Sequence, residues 1–420
     1  MVFGQGGLQE LKEGAILHSD ANSFYASVET VLNPALRGKA MAVCGNREDR
    51  HGIVLAKSEK AKKAGVKTGM AIWEAQKCCP NLIIAPPQYD YYLKFSKLLF
   101  KIYQRYTDLI EPFGMDECWL DVTASLGTPM EIAEEIRKSV KNELGITVSI
   151  GVSFNKIFAK LGSDMKKPDA ITKITRENFK EKVWPLPCSD LLYCGRATTE
   201  KLNRWNVITI GNLANFPPEL LKNKLGKNGI MLWKFANGFD NSRVAHMDYV
   251  TPAKSVGHGI TCVSDIENEY EAKKVIYALS QDIGYKLRFM NLKAAGVHLY
   301  VRDNGLLSVG WQAPLDIPTY DENAIADKAF EILTEKYKWN KAVRALTVSA
   351  IRLVPSTLSI QTTIFSNMDK IDKRERLCRS IDDIKNRFGK KAVIPALILN
   401  ENKMPKHSDK TVIMPGYMYQ

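Results

Sequence analysis

The sequence predicts an α+β chain of several domains, and three observations carry that prediction. Strand-length apolar runs alternate with helical stretches through residues 15–172. Short helical segments punctuated by Pro and Gly then fill 176–245. After a linker-like stretch at Tyr249–Ser255, strands and helices return over 255–355. A chain of 420 residues suits two to four domains.

Residues 15–19 read as a short buried strand that ends on Asp20, and Phe24–Leu32 reads as a helix start. Residues 40–44 and 52–56 are two further strand-like runs around the polar turn Gly45–His51. Ser58–Ala64 looks helical and is rich in lysine, and Leu93–Ile110 reads as one long amphipathic helix. Residues 117–123 and 146–153 fit strands, with a helix over Met130–Leu144 between them. Later, 293–302 and 343–353 alternate as half-buried strands, and helices are expected near 269–288 and 322–338. The chain turns polar beyond 356, with one basic helical stretch near 370–388.

Composition narrows the function classes. No run of about 18 uncharged apolar residues is present, so no membrane span is expected. The first residues lack the basic-then-apolar order of a secretory signal, and a cytoplasmic protein is expected. The net charge of +13 and the pI near 9.2 favour a polyanionic partner, although evenly spread charge would serve solubility alone. Eight scattered cysteines without a C-x-x-C spacing indicate neither a zinc site nor a disulfide framework. They read as small buried apolar residues. With only 6 histidines, chemistry based on His is not favoured.

The chemistry concentrates in two acidic segments. Asp20 closes the first strand, and Asp116-Glu117 sits at a turn before the apolar Cys-Trp-Leu run. Magnesium takes oxygen ligands, commonly one or two carboxylates plus substrate phosphates. Two such ions about 4 Å apart clamp both oxygens of an in-line displacement. Carboxylates on neighbouring strand ends are what such a site needs. Taken singly, Asp20 would serve equally as a helix N-cap and Asp116-Glu117 as a plain turn.

Three ordered motifs connect these segments to a family. They are Asp20 with Phe24-Tyr-Ala-Ser-Val-Glu29, then Gly114-Met-Asp116-Glu117 with Leu120-Asp121. The third is Gly151-Val-Ser-Phe-Asn155-Lys156-Ile-Phe-Ala-Lys160 followed by Ser163-Asp-Met-Lys-Lys167-Pro168. In these motifs the chain resembles the Y-family of DNA polymerases, translesion enzymes of the DinB/UmuC type, over about residues 14–365.

The resemblance implies a right-hand polymerase. Its palm would cover 1–23 and 90–175, small fingers 24–89, a helical thumb 176–246, a linker 247–254, an α/β little finger 255–357 and a tail 358–420. It implies template-directed addition of dNTPs to a primer 3′-hydroxyl with low fidelity, in DNA repair and damage tolerance, by a monomer on primer–template DNA. Asp20, Asp116 and Glu117 would hold two Mg2+ ions, with the backbone carbonyl of Ala21 as a further ligand. Tyr25 would be the steric gate against a 2′-hydroxyl, which without the resemblance reads as a packed helix residue. Lys62 and Lys167 would contact the triphosphate, and in the thumb Gly195, Arg196 and Thr198 would meet the DNA backbone. In the little finger Lys254, Arg288, Lys293, Arg302 and Arg352 are candidates for backbone contacts. Gln361-Thr-Thr-Ile364-Phe365 resembles the pentapeptide with which bacterial polymerases dock on the sliding clamp; taken alone it would be an ordinary tail.

The chain departs from the family pattern in places. Glu59 and Lys62 stand where the family usually has a Tyr and an Arg that grip the β and γ phosphates. Lys62 keeps charge without a bidentate fork, and Glu59 would repel phosphate. Asn22 replaces an Asp, Gly114 a Ser, and Tyr193 the first glycine of the thumb hairpin. Two other readings stay open. One is a different two-metal palm enzyme such as a nucleotidyl cyclase. The other is a catalytically weak factor of the same family that binds DNA and the clamp.

Overall fold

The computed structural model describes residues 14–46, 50, 52–358, 368–399 and 402–405. They divide into two compact units. One comprises residues up to Cys44 and Val54–Thr251; the other runs from Pro252 onward and takes in the short loop Gly45–Ile53. Among the described residues no helix is long and apolar enough to cross a membrane.

The first unit begins with β1 (Ile16–Ala21), α1 (Phe24–Leu32), β2 (Met41–Cys44), β3 (Val54–Lys57) and α2 (Glu59–Lys63). There follow α3 (Ile72–Cys78), β4 (Ile83–Ala85), α4 (Tyr89–Tyr103), β5 (Ile110–Pro112) and β6 (Glu117–Asp121). Next come α5 (Pro129–Leu144), β7 (Val148–Ser153), α6 (Lys156–Met165) and β8 (Ile171–Lys173). A five-stranded sheet of order β5-β6-β1-β7-β8 has β1 at its centre, and β3-β2-β4 form a separate small sheet.

Central β1 is buried along its length, so it reads as a continuous apolar run broken only by the polar residues that do chemistry or support it. Successive side chains on a strand point to opposite faces. His18 meets Ser163 of α6, while its neighbour Ser19 meets Tyr103 of α4. The sheet is thus covered by α6 on one face and by α4 on the other. Gly151 permits the closeness of α6: a Cβ there would lie 1.9 Å from the carbonyl oxygen of Ala159.

One helix assignment is corrected. The helix expected over Leu93–Ile110 is Tyr89–Tyr103, and Ile110 opens β5 opposite Leu120. An apolar residue at the end of an amphipathic pattern is buried as well by a sheet edge as by a helix face, so periodicity did not separate the two.

Five short helices complete the first unit: α7 (Phe179–Val183), α8 (Arg196–Arg204), α9 (Ile210–Ala214), α10 (Pro218–Leu225) and α11 (Lys227–Ala236). Their core, including Val183, Leu202, Leu213 and Leu232, closes on Ile157, Phe158 and Leu161 of α6.

The second unit holds β9 (Ser255–Ile266), α12 (Glu269–Phe289), β10 (Leu292–Asp303), β11 (Ser308–Thr319), α13 (Glu322–Lys336), β12 (Val343–Pro355) and α14 (Met368–Phe388). Its antiparallel sheet has the order β11-β10-β12-β9, and the apolar faces of α12 and α13 pack into the same core as the sheet. Neither β9 nor β11 is singled out by the sequence pattern, and in β9 glycines weaken it. Here they serve close approach: a Cβ at Gly259 would lie 2.1 Å from Thr347 Oγ1 of β12. Helix α14, near where the basic helical stretch was expected, is tied to the unit by ion pairs such as Arg374–Asp321. Seven of the eight cysteines are buried, in line with their reading as small apolar residues.

Candidate functional site: a carboxylate cluster at two strand ends

Antiparallel pairing brings the end of β1 beside the start of β6. Asp20 is the register partner of Glu117. The N–H of Ala21 donates to the carbonyl of Asp116 at 2.8 Å, which draws the turn before β6 onto the same strand end. That turn is closed by the N–H groups of Phe113 and Gly114, both donating to the carbonyl of Glu117. Asp20 thereby shares one site with Asp116 and Glu117, from which it is distant in sequence. Gly114, where the family has Ser, faces two of these carboxylates. A Cβ there would lie 3.4 Å from Asp116 Oδ1, an ordinary contact.

The electrostatics match a cation site. Burial, reinforced by the charges of Asp20 and Glu117, pushes the Asp116 carboxyl up to about 7. Glu117 is also raised by burial, with Lys160 working against the rise. The donor set is oxygen only and its negative charge is incompletely balanced, which is what magnesium requires.

Two lysines from the third motif supply the balance present. Lys160 Nζ donates to Glu117 Oε2 at 2.5 Å and lies 3.5 Å from Asp20 Oδ2. Lys167 Nζ donates to Asp20 Oδ2 at 2.9 Å and pairs with Asp164 at 2.8 Å. Burial works against the charge on Lys160, but Glu117, Asp164 and Asp20 outweigh it and hold the ammonium above the usual lysine range. Lys167, expected from the sequence at the triphosphate, thus lies beside Asp20. Lys160 stood in the quoted motif without a role; its place one helical turn before Asp164, on the α6 face toward β1, was the signal available.

Beneath the cluster, fully buried His18 joins Ser163 Oγ at 2.8 Å and lies 3.6 Å from Glu117. Burial, together with Lys160 and Lys167, holds His18 well below the usual histidine range, so it is a neutral support. Asn22 is buried as well, and its side chain is turned from the carboxylates. It donates to Ser149 and accepts from Thr147 Oγ1 and from the N–H of Asp169. The amide thereby fixes the loop after Lys167, a role needing both donor and acceptor, which accounts for Asn in place of Asp.

Tyr25 lies half-buried on α1. Its ring stacks on Tyr92 at 4.2 Å and 12°, meets the edge of Tyr89, and its hydroxyl points to the sulfur of Met115, the neighbour of Asp116. Tyr92 is fixed in turn by its hydroxyl on Glu29 Oε1 at 2.6 Å, and Gln88 donates to Glu29 Oε2. The gate candidate is therefore a rigid ring backed by a second ring. Burial, then Tyr89 and Asp116, push its phenol up to about 12.

The residues in and around α2 separate. Glu59 Oε1 accepts from Ser23 Oγ at 3.2 Å, so this carboxylate is held beside the start of α1. Lys60, Lys62 and Lys63 are exposed, whereas Lys57 donates to Thr68. In the helical region Gly195 is the N-cap of α8, Arg196 is exposed and pairs with Glu200, and Thr198 lies in the first turn. Tyr193 adopts φ +67°, the left-handed conformation a glycine would take freely there.

The second unit corrects two candidates. Arg288 is buried between Glu322 and Asp382, and Lys293 pairs with Glu375 at 2.6 Å, so both bind acidic partners of their own unit. Basic residues that meet acidic partners of their own unit read in sequence like those that face open solvent. Lys254, Arg302 and Arg352 are exposed. Gln361, Ile364 and Phe365 lie outside the described residues.

Comparison with known proteins agrees with this architecture. The impB/mucB/samB family model matches residues 19–164, and the model of that family's C-terminal domain matches 253–363. The DNA polymerase IV of Acetivibrio thermocellus is 49% identical over 389 residues, covering 92% of this chain and 98% of the relative. That of Moorella thermoacetica is 36% identical, covering 92% and 96%. Among solved structures, the Y-family DNA polymerase chimera Dbh-Dpo4(243-245)-Dbh superposes with a TM-score of 0.71 at 23% identity. It covers 81% of this chain and 99% of its own.

Proposed function

The chain belongs to the Y-family of translesion DNA polymerases, of the DNA polymerase IV type, and from that premise we propose which of its residues carry the reaction. Asp20, Asp116 and Glu117, with the backbone carbonyl of Ala21, would hold two Mg2+ ions. The observation that carries this assignment is the pairing of Asp20 with Glu117 across β1 and β6, with Asp116 drawn in by the N–H of Ala21. When bound, the metals would offset the charge of the triphosphate and make the primer 3′-hydroxyl easier to deprotonate. The primer 3′-hydroxyl attacks the α-phosphate of the dNTP and pyrophosphate leaves.

The chain's own residues bind and orient. Lys167 and Lys160 stand close enough to Asp20 and Glu117 to turn onto an arriving triphosphate. Tyr25, backed by Tyr92, would press on the 2′-carbon of the sugar and exclude a ribonucleotide. Lys62 would add charge from the fingers, opposed by Glu59. The five-stranded sheet with its helices is assigned as palm, the β3-β2-β4 region as fingers, residues 176–246 as thumb and 255–357 as little finger. Gly195, Arg196 and Thr198 would meet a DNA phosphate, since an open helix N-terminus presents unpaired N–H groups. Gln361, Ile364 and Phe365 would dock on the sliding clamp, and a chromosomal substrate places the work in the cytoplasm.

Primer extension with Mg2+ and dNTPs tests the site: Asp116→Ala should abolish extension while DNA binding persists. Deleting 361–365 should spare basal extension and remove clamp stimulation. The alternative of a catalytically weak DNA- and clamp-binding factor draws on Glu59, held where a phosphate grip is expected. Tight DNA binding by the wild-type chain without extension would favour it.

A further inference from the structure

Lys167 stands on the loop between α6 and β8, and that loop is pinned just beyond it. Asp169 adopts φ +54°, a left-handed conformation that Asp tolerates better than most side chains. Its N–H donates to Asn22 Oδ1 at 2.9 Å. Its carboxylate accepts from Arg137 Nη1 at 2.8 Å and from Lys141 Nζ at 2.7 Å, both on α5. One residue further, the carbonyl of Ala170 accepts from the N–H of Ile150 on β7 at 2.9 Å.

Arg137 is itself fixed. Its Nε and Nη2 donate to the two carboxylate oxygens of Glu134 at 3.1 and 2.8 Å, one turn earlier on α5. The planar fork thus spends one edge on its own helix and turns Nη1 to the loop. Exposure separates the two cations on Asp169. The Arg137 and Asp169 side chains are 24% and 20% exposed, whereas Lys141 is 55% exposed, so solvent weakens its pair more. Arg137 is therefore the main anchor. Only Pro168 lies between Asp169 and Lys167, whose Nζ meets Asp20 and Asp164.

We infer that Arg137, acting through Asp169, positions Lys167 for the triphosphate of the incoming dNTP. A lysine is a point charge on a flexible stem, so a fixed backbone is what keeps its ammonium in one place. Asp169 supplies that fixed point, and Arg137 ties it to α5. This rests on the reading above that Lys167 contacts the triphosphate. Arg137 is a positioning residue in this role, since it reaches the site through Asp169.

The test compares the full chain with Arg137→Met, Lys167→Met and the double variant in single-turnover dNTP insertion. Arg137→Met should raise the dNTP Kd about fivefold, with the maximal rate changed less than about twofold. In the Lys167→Met background the same substitution should raise the Kd no further, because its effect runs through Lys167. Hydrogen–deuterium exchange over 166–170 should accelerate about tenfold in Arg137→Met. Unchanged exchange there, or a wild-type Kd in Arg137→Met, would overturn the inference. A rise in Kd that persists in full without Lys167 would overturn it too, by showing a merely structural role. A wild-type Kd in Lys167→Met would instead remove the triphosphate reading of Lys167, and the exchange comparison would still decide whether Arg137 holds the loop.

Discussion

Lys160 holds Glu117 at 2.5 Å, joining the one strongly raised ammonium of α6 to the first residue of β6. Three acidic side chains converge here, so this contact offsets a repulsion that would otherwise oppose folding. Losing one partner of a fully buried pair costs about 3–5 kcal/mol. Lys160 retains some exposure. Lys160→Met should therefore cost on the order of 2 kcal/mol in urea unfolding without metal. Millimolar Mg2+ should recover part of the loss; no recovery would argue against these carboxylates as its ligands.

Asp116 sets a pH dependence. Its carboxyl is raised from the ordinary 3.8 to about 7 by burial and by Asp20 and Glu117, so the folded metal-free protein binds a proton more tightly than the unfolded chain. By linkage its contribution to stability is complete below the unfolded value and is lost as pH rises toward 7. Asp116→Asn should flatten this decline in metal-free unfolding curves between pH 4 and 7. Mg2+ requires the ionised form, so binding should weaken as pH falls through 7 and should release protons. Calorimetry in two buffers of different ionisation enthalpy counts them.

Tyr25 is backed by Tyr92 and cannot retreat from an added hydroxyl. Forcing an extra atom into a packed wall costs about 1–3 kcal/mol, or roughly 5- to 150-fold in selectivity. Tyr25→Ala should raise rNTP incorporation by such a factor with little loss of dNTP incorporation. Steady-state insertion of each nucleotide measures it, and unchanged exclusion would remove the gate assignment.

Glu59 is held by Ser23 and is not screened by a lysine at contact distance among the described residues. A negative charge near a triphosphate costs on the order of 1 kcal/mol across partly solvated space. Glu59→Gln should lower the dNTP KM about fivefold without changing the maximal rate. A raised KM would show that Glu59 supports nucleotide binding.

Gly151 carries the approach of α6 to β7. A Cβ there would also lie 2.6 Å from the N–H nitrogen of Ser163, so Gly151→Ala must push the helix off the sheet. About 3 kcal/mol of stability should be lost, and extension should fall because Lys160 moves with α6. A folded variant with full activity would show that the strand yields instead.

Several elements were legible because local pattern and tertiary burial agree. Helix α1 begins at Phe24, where the sequence reads as a helix start. Strand β6 starts at Glu117 as expected. Where they failed, burial came from another element. Ile110 completes a helical pattern but is buried by the sheet, and Gly257 and Gly259 weaken a strand that exists because β12 comes so close. Arg288 and Lys293 looked free for DNA because a sequence does not say which acidic residues of α13 and α14 lie opposite.

The sequence by itself determined the carboxylates, the aromatic at position 25 and the family, since residue types at fixed spacing carry those. The tertiary structure decided which groups neutralise the carboxylates and which motif residues serve elsewhere. Asn155 and Lys160 belong to one motif, yet Asn155 caps α6 and holds Gly238 while Lys160 holds Glu117. The reason is geometric: α6 turns successive side chains around its axis, so neighbours in one motif face different partners. Only the crossing of that helix over β7 at Gly151 fixes which partner each side chain meets.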